Sequence, residues 1–194
     1  MKLLFLGSGE FGLPTLKALA AHHEVLAVVS QPDRPAGRHR RLTPTPIAAW
    51  AAEHRSNTPL FKPEDINTPD VISRLHALEA DAWVVIAFGQ KLSRTLVDDR
   101  FVINLHASLL PRWRGAAPIN HAMLAGDAET GNSVITIAER MDAGFVLGQS
   151  KKPITVELTA GELHDLLASD GPALIEQVLA AHANHSLRPV TQDE

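Results

Sequence analysis

The sequence predicts an α/β fold, Rossmann-like and doubly wound, with a mostly parallel sheet. Three observations predict it. Short apolar runs rich in Val, Ile and Phe recur along the chain, bounded by turn residues, and read as buried strands. Helical stretches alternate with them, the pattern of a parallel sheet covered on both faces. The length, 194 residues, suits one ordinary domain with at most a small appendage.

The first strand is Lys2–Leu6. Its surroundings begin like a signal peptide, but the apolar run stops at Leu6 and no small-residue cleavage site follows a long apolar region, so it reads as the first buried strand of a cytoplasmic protein. Nowhere does the chain reach the roughly 18 consecutive apolar residues of a membrane helix. Further strands are predicted at Val25–Ser30, Trp83–Phe88, Phe101–Leu105 and Val134–Ile137, with helices at Pro14–Ala21, Pro46–His54, Pro69–Ala80 and Ala116–Leu124. The first three helices have Pro at or near their first position, where its missing N–H costs nothing, and Thr45 and Thr68 are candidate caps. In the last third, Thr155–Leu158 reads as a strand. Thr159 and Glu162 form a capping box ahead of Leu163, Leu166, Leu167, Leu174, Ile175, Val178 and Leu179 at helical spacing. Gly171-Pro172 is expected to break or kink that helix. The segment 188–194 is polar and reads as the start of a linker after a catalytic domain spanning 1–187.

Composition removes several classes of function. There is no cysteine, so a disulfide scaffold and thiolate chemistry are excluded. Eighteen Lys and Arg against 22 Asp and Glu give a net charge of −4, so the body of the chain is no general magnet for nucleic acid. Basic charge is nevertheless concentrated locally. Arg34, Arg38, Arg40 and Arg41 lie within eight residues in a loop bounded by Pro and Gly, at a strand's carboxyl end. Such a loop reads either as a solvated charge run or as a grip on phosphates. His22, His23, His182 and His185 show no zinc-like spacing with a carboxylate, and no metal is expected.

Two motifs invite a reading as ligand sites. Gly7-Ser8-Gly9-Glu10-Phe11-Gly12 is a literal G-x-G-x-x-G between a strand and a helix. A dinucleotide site would also need an acidic residue about 20 residues further on; Ser30-Gln31-Pro32 stands there instead, so the motif reads as a tight turn. The second motif is Asn104-Leu105-His106, where strand alternation puts Asn104 and His106 on one side. An amide and an imidazole projecting together can hold an oxyanion and move a proton, and can equally be a polar strand end satisfied by backbone. The following Pro-, Trp- and Arg-containing loop, together with Asp142 in the turn 141–144, favours catalysis, because a carboxylate near the imidazole fixes its tautomer.

QPDRPAGR (31–38), VVIAFG (84–89), NLHASLLPRWRGAAPI (104–119), GDAETG (126–131) and MDAG (141–144) together carry a resemblance over essentially the whole chain. It resembles the N-terminal catalytic domain of the methionyl-tRNA formyltransferases and hence the formyltransferase fold. The Asn-x-His-x-Ser-Leu-Leu-Pro run with a later Asp-x-Gly marks folate-dependent formyltransferases generally; the arginine loop and Arg112–Ile119 point to the tRNA member.

The resemblance implies a catalytic trio of Asn104, His106 and Asp142. It also implies tetrahydrofolate contacts at Ser108, Leu109, Leu110 and Pro111 and at Ile86, Ala87, Phe88 and Gly89, and tRNA contact through Arg34, Arg38, Arg40 and Arg41. The formyl donor would be 10-formyltetrahydrofolate and the acceptor the amine of initiator methionyl-tRNA, without a metal, in a monomer. Alternatives are an enzyme acting on a sugar-nucleotide or ribonucleotide amine, a folate hydrolase, and a folate- or RNA-binding domain with little turnover. Three departures from the family pattern stand out. Ser8-Gly9 replaces a usual Thr-Pro, Phe145 replaces an Asp after Asp-x-Gly, and the family's C-terminal β-barrel domain is absent from this sequence.

Overall fold

The computed structural model describes residues 1–193. It comprises two compact units, Met1–Val102 and a second from Ile103 onward.

The first unit is built on four parallel strands in the order β5 (Leu60–Phe61), β2 (Glu24–Val29), β1 (Lys2–Gly7), β6 (Ala82–Ile86). Leu3, Leu4, Phe5 and Leu6 are wholly buried, as are Val84 and Ile86. Continuous apolar runs of this kind are what a strand needs when both of its faces are covered. Helices α1 (Leu13–His22), α2 (Pro46–His54) and α3 (Pro69–His76) begin at or within one residue of the predicted positions, but α3 ends four residues before the predicted Ala80. Thr45 caps α2 by accepting from the Ala48 N–H, whereas Thr68 makes no such bond at α3. The arginine loop is a small antiparallel hairpin, β3 (Arg34–Ala36) with β4 (Arg41–Thr43). A short helix, α4 (Arg94–Val97), is capped by Ser93.

The second unit has three antiparallel strands, β7 (Val102–His106), β8 (Glu129–Thr136) and β9 (Val146–Pro153), with helices α5 (Pro118–Leu124) and α6 (Ala160–Ala183). Three expectations change here. The strand predicted at Val134–Ile137 begins five residues earlier, because Thr130, Asn132 and Ser133 are buried despite being polar. Thr155–Leu158 is a turn closed by a bond from the Leu158 N–H to the Thr155 carbonyl, not a strand. Gly171-Pro172 does not end α6, a single 24-residue helix with Pro172 inside it. A proline in a helix interior costs about 3 kcal/mol. Leu163, Leu167, Leu174, Ile175, Val178 and Leu179 are all buried along this helix, and each large aliphatic side chain contributes roughly 1.5–3 kcal/mol when buried. Burial outweighs the proline. The capping box forms as predicted, through Thr159 and Glu162.

The segment expected to begin a linker is engaged with the second unit. Val190 pairs with Val146 through two backbone hydrogen bonds of 2.8 and 2.9 Å. Gln192 is only 8% exposed. No helix among the described residues is long and apolar enough to cross a membrane.

Candidate active site

Asn104 and His106 stand at the carboxyl end of β7, opposite Ile135 and Ser133 of β8. They are two residues apart on a strand and so share a face. Asp142 arrives from the turn after β8 with a left-handed backbone, φ +52°, a conformation that Asp adopts more readily than most residues. Two residues later Gly144 closes against β8. A Cβ built there would lie 1.8 Å from the Thr136 carbonyl oxygen, so only glycine lets the turn pack this tightly.

The three side chains converge on the Asp142 carboxylate. Asn104 Nδ2 lies 3.5 Å from Oδ1, and His106 Nδ1 lies 3.5 Å from Oδ2. Oδ2 also accepts the Gly115 N–H at 2.9 Å. The side chains of His106 and Asp142 are only 8% and 15% exposed. The best-made bonds of the trio are therefore to backbone, and the contacts within it are long. Such contacts typically tighten only when substrate is bound.

The His106 tautomer follows from its other nitrogen. Nε2 lies 2.8 Å from the Trp113 carbonyl oxygen, which can only accept, so Nε2 carries a proton. Nδ1 is then the nitrogen that faces Asp142. Protonated, it forms an ion pair with the carboxylate; unprotonated, it offers a lone pair that can take a proton from a reacting group.

The loop leaving β7 is held internally. Ser108 is fully buried, its hydroxyl donates to the Arg112 carbonyl at 2.6 Å, and its own carbonyl accepts from Ser133 Oγ at 2.6 Å. Ser133 Oγ in turn accepts from the Leu110 N–H, and Gln149 Nε2 donates to the Leu110 carbonyl. The Leu110–Pro111 peptide is cis. Of the four residues singled out here, Ser108 and Leu110 are consumed by the loop, while Leu109 is half-buried and Pro111 exposed. Further along, the Asp127 carboxylate receives Arg112 Nε, Arg112 Nη2 and Trp113 Nε1 at 3.0, 2.6 and 2.7 Å. These donors hold its carboxyl below the usual carboxylate range, Arg112 most strongly. Trp113 also stacks on His121. It is half-buried and anchored.

The other predicted residues lie in the first unit. Ile86 and Phe88 are core residues, while Ala87 and Gly89 are exposed and have positive φ. Any ligand contact from 86–89 therefore comes through backbone and the Ala87 methyl. In the hairpin, Arg34 is paired with Glu64 at 3.0 Å. Arg38, Arg40 and Arg41 are exposed. Sequence reasoning missed Trp113 O, Gly115 N and Gln192. The first two are backbone groups and leave no mark in a sequence; the third sits in a polar tail like any surface glutamine. Among the described residues no cluster of three or more metal-ligating side chains occurs.

A family model described as formyl transferase matches residues 1–179. The methionyl-tRNA formyltransferase of Methylococcus capsulatus is 46% identical over 197 aligned positions, covering 100% of this chain and 63% of that protein. The chain thus spans a little under two thirds of that relative. Among solved structures, glycinamide ribonucleotide transformylase 1 from Symbiobacterium toebii superposes with a TM-score of 0.78 at 16% identity, over 100% of this chain and 94% of that one. The sugar 3N-formyl transferase WlaRD, solved in the presence of dTDP and 5-N-formyl-THF, gives 0.73 at 16% identity, over 100% of this chain and 67% of that one. At such identities these structures show the fold, which agrees with the predicted class.

Proposed function

The chain belongs to the formyl transferase family, and we propose on that premise that it transfers the formyl group of 10-formyltetrahydrofolate to the amino group of initiator methionyl-tRNA. The observation that carries the reading is the meeting of Asn104, His106 and Asp142 around one carboxylate. The choice of amine rests on the 46% identical relative, which bears that name, and on the exposed Arg38, Arg40 and Arg41, which suit a polyanionic partner. WlaRD, solved with a formylated folate, supports the donor class. For folate contact we propose Leu109 and Pro111, with Ser108 and Leu110 shaping their loop, and the backbone of Ile86, Ala87, Phe88 and Gly89.

The chemistry follows from the geometry. The neutral amine adds to the formyl carbon, and the carbonyl oxygen gains negative charge. Asn104 Nδ2, held only loosely by Asp142, is the donor free to turn toward that oxygen. His106 Nδ1 takes the proton released by the attacking nitrogen. Asp142 offsets the resulting positive charge, and the Trp113 carbonyl keeps the ring from rotating. The same proton then passes to the folate nitrogen as the bond from carbon to that nitrogen breaks. Atoms balance without a further reactant.

The test is formyl transfer measured with 10-formyltetrahydrofolate and methionyl-tRNA, alongside a sugar-nucleotide amine. Formyl-methionyl-tRNA formed faster than any formylated sugar nucleotide supports the reading. Transfer only to the small amine overturns the choice of acceptor, and folate binding without any transfer overturns the enzyme.

A further inference from the structure

Gln192 belongs to none of the motifs above, yet its side chain is among the few buried polar groups of the second unit. Its amide makes three hydrogen bonds. Nε2 donates to the Asp142 carbonyl at 2.9 Å and to the Gly144 carbonyl at 2.7 Å. Oε1 accepts from Arg114 Nε at 2.9 Å. One side chain thus binds both loops that build the trio, and its attachment points are specific. The two carbonyls belong to the turn that carries Asp142. Arg114 stands between Trp113, whose carbonyl holds His106 Nε2, and Gly115, whose N–H holds Asp142 Oδ2. The Val146–Val190 backbone pairing delivers Gln192 to this place.

The chemistry of the contacts requires an amide. Two carbonyls need a donor and a guanidinium needs an acceptor. Glutamine is the side chain of this length that offers both ends at once. Glutamate would keep Arg114 but present lone pairs to two carbonyl oxygens.

We propose that Gln192 is a positioning residue for the His106–Asp142 pair, fixing the distance between them by clamping the Asp142 turn to the 113–115 segment. Gln192 does not touch the reacting atoms; it acts through the two loops. The role attached to that pair rests on the proposed formyl transfer, whereas the clamp itself is a statement about geometry.

The test uses the 194-residue chain with Gln192→Met, which keeps the shape and loses all three bonds, and Gln192→Glu, which keeps only the Arg114 contact. Three quantities are measured: kcat and KM for formyl transfer, the melting temperature, and the ring 15N shifts of His106 in the ligand-free protein, which report which nitrogen carries the proton. Both variants are expected to lower kcat by about tenfold, the equivalent of roughly one hydrogen bond's worth of positioning. KM for the folate donor is expected to stay within about twofold, and the His106 Nδ1 resonance to move. A residue that merely anchors the tail would behave differently, because Glu, held by Arg114, would then act as wild type. Wild-type kcat in Gln192→Glu, or unchanged His106 shifts in both variants, overturns the proposal. Should either variant fail to fold, Arg114→Met removes the donor to Gln192 Oε1 while leaving the tail's backbone pairing, and the same readouts decide. If the wild type transfers no formyl group, the functional reading fails, and the His106 shifts still decide whether Gln192 sets the pair.

Discussion

The glycine turn that follows β1 and the loop that follows β7 each leave a strand at its carboxyl end with hydroxyls, amides and glycines close by. In the first, the polar groups satisfy one another. Ser8 Oγ donates to the Phe88 carbonyl at 2.9 Å and accepts the Gln31 N–H, while Gln31 Nε2 donates to the same carbonyl at 3.2 Å. Its glycines serve packing: a Cβ on Gly7 would stand 2.7 Å from the Phe5 ring and 2.9 Å from the Ile86 carbonyl oxygen. In the second, short bonds run from His106 and Asp142 to backbone, and the contacts among Asn104, His106 and Asp142 stop at 3.5 Å. The supports are tight and the functional atoms are left with unspent hydrogen-bonding capacity. A motif whose side-chain donors bond within it is architecture; a constellation whose donors are held in place but not consumed can act on a ligand.

The largest expected effects therefore fall on the second region. His106→Ala removes the group proposed to move the proton and is expected to lower kcat by about 10²–10⁴, the range for a positioned acid or base, with folate affinity little changed. Asn104→Ala is expected to cost about 10²–10³, as for one oxyanion donor. Steady-state kinetics and equilibrium folate binding check both. Wild-type turnover in His106→Ala would take that residue out of the mechanism. A change confined to KM in Asn104→Ala would assign it to ground-state binding.

A smaller effect separates the arginines of the β3–β4 hairpin. Arg34 already has Glu64, so Arg38, Arg40 and Arg41 are the residues proposed to meet phosphate. Changing these three together to Ala is expected to weaken methionyl-tRNA use and to flatten its salt dependence. Each lost phosphate contact reduces the log–log slope by about 0.7–0.9. Arg34→Ala alone is expected to leave the slope nearly unchanged. Equal slopes in the triple variant and the wild type would make the hairpin a solvated charge run.

How much of this was legible follows from where the information resides. Helix α2 and its Thr45 cap, the capping box of α6 and the shared face of Asn104 and His106 depend on side chains at fixed spacing, and all could be read. Most of β8 could not, because Thr130, Asn132 and Ser133 look like loop residues until the bonds that Asn132 and Ser133 make inside the unit are known. Strand β9, VLGQSKKP, shows almost no apolar signal: Lys151 is exposed on one face, and Lys152 on the other is half-buried and paired with Asp170. Pro172 misled because local propensity speaks louder in a sequence than the burial of a distant face. The hydrogen bonds that set the His106 tautomer and seat Asp142 come from main-chain atoms of Trp113 and Gly115, so no side chain announces them.

The smallest expected effect returns to the first region and tests the comparison where the motif looks most functional. In a dinucleotide site the middle glycine of G-x-G-x-x-G lets the backbone approach a pyrophosphate, and a methyl group there blocks binding. Gly9 has φ −77° and ψ 166°, an extended conformation open to any L-residue. A Cβ added to it would meet only the Ala87 methyl, at 3.8 Å, an ordinary van der Waals distance. Nothing in the native turn opposes Gly9→Ala, and the unfolded chain loses conformational freedom. The substitution is therefore expected to be neutral or to stabilise by about 0.4–1 kcal/mol, with formyl transfer unchanged. Gly7→Ala, which must displace the Phe5 ring and a backbone carbonyl, is expected to destabilise instead. Urea unfolding of both variants gives the stability difference. A loss of folate binding or of turnover in Gly9→Ala, with stability intact, would mean that a ligand approaches this turn closely and that the first region is a site after all.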